Sequence, residues 1–71
     1  MDILIEGFPY ITSSYEIKKL FRQYGSVKDV KKDRSRRYAI ISMPHVEQAN
    51  KAIDDLNGSL FFDQKVVVRR K

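Results

Sequence analysis

Four short apolar stretches rich in β-branched residues alternate with two of helical periodicity along only 71 residues, leaving almost no chain to spare. The first helix is the firmest of these elements. Ser13-Ser14-Tyr15-Glu16 has the form of a capping box, with Ser13 at the N-cap and Glu16 three residues on. Ile17, Leu20, Phe21 and Tyr24 then recur at i, i+3, i+4 and i+7, which puts them on one face. Gly25 is expected to take the left-handed position that stops this helix. In the second helix Pro44 suits the first turn, and Val46, Ala49, Ile53 and Leu56, with Ala52 beside them, form the apolar face. Asn57-Gly58 closes it.

The strands read as Ile3 to Phe8, Val27 to Lys32, Arg36 to Met43 and Lys65 to Arg69. Asp33-Arg34-Ser35 is too short for a crossover, so the middle two form an antiparallel hairpin. The order βαββαβ predicts an α+β sandwich of the ferredoxin-like kind, a four-stranded antiparallel sheet with both helices on one face. A single domain is expected over residues 1–71. Alternation assigns Ala39, Ile41, Met43, Val66 and Val68 to the core, with Phe8 and Phe61. Hydrophobic residues at 42% supply one thin core. The second face of the sheet has nothing to cover it.

Several functional classes are excluded by what the chain lacks. There is no cysteine, hence no disulfide, thiolate nucleophile or cysteine-rich zinc site. No apolar run approaches the roughly 18 residues of a membrane span, and Met1-Asp2-Ile3 does not begin a signal peptide. An intracellular setting, nuclear or cytoplasmic, is expected. His45 is the only histidine and has no Cys or Ser partner at a recognisable spacing; it reads as a solvated first-turn residue. Asp54 and Asp55 are adjacent and face different ways on a helix. No phosphate-cradling glycine loop is present. An enzyme is not expected, and neither a cofactor nor a metal is implied.

Function is therefore sought on the bare face. Opposite in parity to the core lie Leu4 and Glu6, Asp29 and Lys31, then Arg36, Tyr38 and Ile40, then Lys65, Val67 and Arg69. Leu4, Tyr38, Ile40 and Val67 make an apolar centre flanked by cations. The net charge is +5. Lys28, Lys31, Lys32, Arg34, Arg36 and Arg37 of the hairpin and Arg69, Arg70 and Lys71 of the tail are nine of the fourteen cations. A positive surface with an aromatic in it suits single-stranded RNA, whose bases stack and whose phosphates meet the rim. Tyr38 is the one aromatic placed to stack. Leu4, Ile40 and Val67 would add apolar contacts; Lys31, Arg36, Lys65 and Arg69, with Arg37, would meet phosphates or base edges.

On these residues the chain resembles the RNA-recognition motif family over nearly its whole length. Ile3-Leu4-Ile5-Glu6-Gly7-Phe8 is similar to the family's six-residue motif, and Arg36-Arg37-Tyr38-Ala39-Ile40-Ile41-Ser42-Met43 to its eight-residue motif. Leu20-Phe21, Tyr24-Gly25, Ala49, Ala52-Ile53 and Leu56-Asn57-Gly58 also fall at the family's spacings. The resemblance implies aromatics at the positions of Leu4, Tyr38 and Ile40, of which only Tyr38 keeps one. Arg37 stands where a glycine is common, and Asp63 where a turn glycine is usual. With two stacking platforms replaced, roughly 2–6 kcal/mol of stacking is missing. Binding of modest affinity and specificity, more electrostatic than usual, is expected. The alternative is a protein–protein interaction module of the same fold using the aliphatic sheet face, towards a partner or a neighbouring domain. A monomer is expected.

Overall fold

A computed structural model describes residues 1–35 and 37–71. The elements run β1 (Asp2–Glu6), α1 (Ser14–Arg22), β2 (Asp29–Lys32), β3 (Tyr38–Ser42), α2 (Val46–Leu56), β4 (Leu60–Phe61), β5 (Gln64–Lys65) and β6 (Val67–Arg70). Strands β2, β3, β1 and β6 form one antiparallel sheet in that spatial order, and β4 and β5 form a small separate hairpin. The ferredoxin-like sandwich predicted from the element order is the fold observed. Its core lies between sheet and helices: Ile3, Ile5, Ala39, Ile41 and Val68 from the sheet, Ile17 and Phe21 from α1, Ala49, Ala52 and Leu56 from α2, closed by Phe8, Met43 and Val66.

Local chemistry sets where the elements begin and end. Ser13 is the N-cap of α1, and the reciprocal bonds of the capping box are both made. The Glu16 N–H donates to Ser13 Oγ at 3.1 Å, and the Ser13 N–H donates to Glu16 Oε1 at 2.9 Å. These bonds hold the Glu16 carboxyl below its ordinary value, the backbone donor first and the Ser13 hydroxyl second. Ser13→Ala is expected to cost about 1 kcal/mol of stability in chemical denaturation. A loss of a few tenths or less would mean that solvent caps this helix as well as serine does.

The helix ends sooner than expected, at Arg22, with Gln23 as C-cap in the right-handed helical region. Gly25, at φ +153°, takes a backbone conformation that favours glycine, but far from the left-handed helical value of a C-terminal cap. Its lack of a side chain makes room for Gln48 of α2, which a Cβ there would strike. Gln48 Oε1 accepts the Ser26 N–H at 3.1 Å, so the position serves packing between the two helical ends. Pro44 likewise falls outside α2. His45 is the N-cap, exposed and in extended conformation, without a side-chain capping bond.

The last strand is divided, a departure from the expected Lys65 to Arg69. Gln64 and Lys65 pair with β4; the Val66 N–H donates to Ser59 O, and Val66 O accepts from Gly58. Only from Val67 does the chain pair with β1. The β4–β5 turn, Phe62-Asp63, has φ of 51° and 64°, so two non-glycine residues occupy the left-handed region of a two-residue hairpin turn. Asn57, at the end of α2, secures the free edge of β6: its Oδ1 accepts the Val68 N–H at 3.0 Å. Asn57→Ala is expected to destabilise the domain by roughly 1–3 kcal/mol, the cost of orphaning a half-buried donor. Faster amide exchange at Val68 would locate the loss.

Candidate nucleic-acid interface

The pleat of β1 puts Ile3 and Ile5 into the core and turns Leu4 and Glu6 to the opposite side; β3 does the same with Ala39 and Ile41 against Tyr38, Ile40 and Ser42. Register then orders the open face into rows across the sheet. Lys31, Ile40, Leu4 and Arg69 make one row, an apolar pair with a cation at each end. Tyr38, Glu6 and Val67 make the next. Asp29, Ser42 and Asp2 make the row on the other side, and this end of the face is acidic.

Most of the residues singled out from the sequence come together here, though unequally. Tyr38 is 37% exposed and Val67 46%. Ile40 is half-buried. Leu4 is only 9% exposed, closed in between Ile40 and Arg69, so it forms the floor of the face rather than a contact surface. Lys31, Arg37 and Arg69 are exposed. Lys65 does not join the sheet. Its backbone pairs with Leu60, and its side chain reaches towards Gly58, because the strand changes partner at Val66. Arg36 lies outside the described residues.

The field of cations is also less concentrated than nine nearby residues suggest. Lys32 has the parity of Val30 and leaves the open face: its Nζ donates to the carbonyls of Tyr10 and Thr12 and lies 5.7 Å from the centroid of Phe8. Arg70 shares the parity of Val68, on the helix side of the sheet. Lys71 extends the β6 register, its N–H donating to Asp2 O at 3.0 Å.

Tyr38 is held by more than its strand. The Asp33 N–H donates to Tyr38 O at 3.0 Å, and the Asp33 carboxylate, by hydrogen bonding ahead of its negative charge, raises the phenol above its ordinary value. Asp33 in turn is held below the usual carboxylate range, first by the Ser35 hydroxyl, then by the Ser35 N–H at 2.9 Å, with a smaller share from Tyr38. A depressed carboxyl keeps its bonds at any pH above its unfolded value near 4 and loses them as pH falls through the folded one. Tyr38 is thus expected to stay tied to the hairpin at neutral pH and to be released only in acid. The ring resonances of Tyr38 should shift with an inflection below about pH 4. An inflection near pH 5 or above would contradict this arrangement.

Glu6 is the functional-face residue that residue chemistry alone undervalues. Parity places it on the sheet, but a carboxylate repels phosphate. It is the cross-strand partner of both Tyr38 and Val67, and its Oε1 lies 3.8 Å from Arg69 Nε, with both side chains about half exposed. This is the one ion pair among the described residues. No group of three metal-ligating side chains occurs among the described residues, and no described helix is long and apolar enough to cross a membrane.

A four-stranded antiparallel sheet backed by two helices, with an aromatic and flanking cations on its bare side, defines a class of RNA-binding module. The chain belongs to the RNA recognition motif family, whose profile matches residues 3–67. Solved structures agree. The RRM domain of S. pombe Puf1 is 30% identical, with all of this chain and 97% of that one covered and a TM-score of 0.92. RNA Binding Protein PG1 is 25% identical over 100% of this chain and 93% of its own, also at 0.92. The Rna15 RRM, solved with bound RNA (GU), is 20% identical over 99% and 81%, at a TM-score of 0.87, a likeness of fold alone. Among curated protein sequences the chain finds no match.

Proposed function

We propose that the domain binds single-stranded RNA across the open sheet, with Tyr38 as its stacking platform and Lys31, Arg69 and Arg37 meeting phosphates. The observation that carries this reading is the row Lys31, Ile40, Leu4, Arg69 beside the exposed ring of Tyr38. Bases that lie over Ile40 and the Tyr38 ring leave their phosphates at the cationic edges, as a strand crossing a sheet requires. Membership of an RNA-binding family supports it. Ile40 and the floor residue Leu4 offer dispersion contacts but no π-face, so affinity is modest. We leave Lys65 out of this surface because its strand pairs with Leu60 rather than with β1.

The same geometry weighs against an aliphatic protein-docking face. With Leu4 closed over, the exposed aliphatic surface shrinks to Ile40 and Val67, which lie on different strands in different rows. The deciding experiment is an NMR titration with short oligo-pyrimidine and oligo-purine RNAs. Amide shifts are expected along Leu4–Glu6, Tyr38–Ile40 and Val67–Arg69. Shifts confined to the helices, or none at millimolar RNA, would refute the proposal and favour a protein partner.

A further inference from the structure

Beyond the stacking platform the open face runs into a cleft of about 520 Å³ whose lining includes Glu6, Gly7, Tyr10, Ser35, Arg37 and Gln64. Its size falls within the roughly 300–1,000 Å³ typical of small-molecule sites. The cleft is built by the close approach of two chain segments. Gly7, at φ +94°, lies so near the backbone of β5 that a Cβ would sit 2.6 Å from Lys65 O. That approach brings Gln64, which precedes Lys65, to the same cleft as Glu6 and Arg37. Glu6 is also the cross-strand neighbour of Tyr38, so the cleft opens beside the ring on which a base would stack.

We propose that this cleft is a base-reading subsite selective for guanine, with Glu6 as its specificity-determining residue. The inference rests on the RNA-binding reading above. A phosphate is repelled by Glu6, so a polyanion lying across this face must present something else there. An ionised carboxylate only accepts hydrogen bonds and a guanidinium only donates them. Guanine is the base that offers two adjacent donors, N1–H and the N2 amino group, to the two oxygens of one carboxylate. Its O6 and N7 acceptors lie on the edge suited to arginine. Adenine and cytosine offer an amino donor next to an acceptor, and uracil one donor between two carbonyls, so with each the second carboxylate oxygen meets a lone pair. Arg37 on the cleft wall, and the amide of Gln64, supply donors for O6. Arg69 Nε lies 3.8 Å from Glu6 Oε1, beyond hydrogen-bond distance, so both carboxylate oxygens can accept from the base. Specificity is then confined to this single position, and the rest of the strand is bound without base reading.

The test is a set of fluorescence-anisotropy titrations of the whole chain with short uridine-tract RNAs that differ only at one central nucleotide. With guanosine there, affinity should be about tenfold above the plain uridine tract. Inosine, which keeps N1–H and O6 but lacks the N2 amino group, should lose most of that gain, and adenosine should not reproduce it. In Glu6→Gln, checked for folding by its melting curve, the guanosine-to-uridine ratio should fall to about twofold or less. The proposal is overturned if wild type binds the guanosine and uridine tracts equally, if adenosine or inosine matches guanosine, or if Glu6→Gln keeps the full preference. In any of those cases, uridine-tract binding that Tyr38→Ala still weakens leaves RNA binding itself standing. Failure of every RNA to bind overturns both.

Discussion

Tyr38→Ala is expected to weaken binding of single-stranded RNA by about 1–3 kcal/mol, the usual loss when one aromatic platform is removed. The fold should survive the change, because Tyr38 is 37% exposed on the bare side of the sheet and lies outside the core cluster. The effect should be large relative to the total affinity, since Leu4 and Ile40 carry no ring that could take over. Tyr38→Phe separates stacking from tethering. It keeps the ring and removes the hydroxyl that bonds to Asp33. Affinity near wild type for Tyr38→Phe, with a loss of about fivefold or more for Tyr38→Ala, is the expected pattern. Equal affinity of Tyr38→Ala and wild type would refute stacking on this residue.

Salt should act even more strongly. Among the described residues, Lys31, Arg37 and Arg69 are the cations that the fold leaves towards the Tyr38 end of the open face, with Lys71 farther off beside Asp2, so on the order of three or four phosphates can be neutralised. For single strands the slope of log K against log salt is about −0.7 per phosphate, so raising salt from about 50 to about 200 mM should lower affinity by roughly 20- to 50-fold. Arg69→Ala should flatten the slope by nearly one phosphate. A slope near zero would remove phosphate contact from the picture. The acidic row of Asp29 and Asp2 adds a direction to this prediction. The backbone should keep to the Tyr38 end of the sheet, and shifts at Asp29 and Asp2 should be the smallest on the face.

The helices and the parity of the strands were legible because they depend on local rules. The Ser13–Glu16 box needs only four consecutive residues, and the alternation of Ala39 and Ile41 with Tyr38 and Ile40 needs only a pleat. The short connection between β2 and β3 fixed their antiparallel pairing. The β4–β5 hairpin was not legible. Its turn is Phe62-Asp63, which lacks the Asn-Gly or Asp-Gly chemistry that normally announces positive φ. The surrounding pairing imposes that conformation, and with it takes Lys65 off the sheet. Lys32 was counted into the hairpin's positive field on charge alone. Charge suggests solvent or phosphate, but the carbonyls of Tyr10 and Thr12 in the loop before α1 provide a closer partner.

What the amino-acid order determined without help is the βαββαβ succession of the sandwich, the bare sheet face and the single aromatic upon it. Periodicity suffices for these, since each element must bury one side and the helices and the sheet bury theirs against each other. Which charges share that face was decided only by tertiary structure. Long-range register set Glu6 between Tyr38 and Val67, and the approach of Gly7 to Lys65 brought Gln64 and Arg37 into one cleft with it. Such juxtapositions join residues far apart in the chain through hydrogen-bonded pairing and close backbone contact, and no local propensity encodes them.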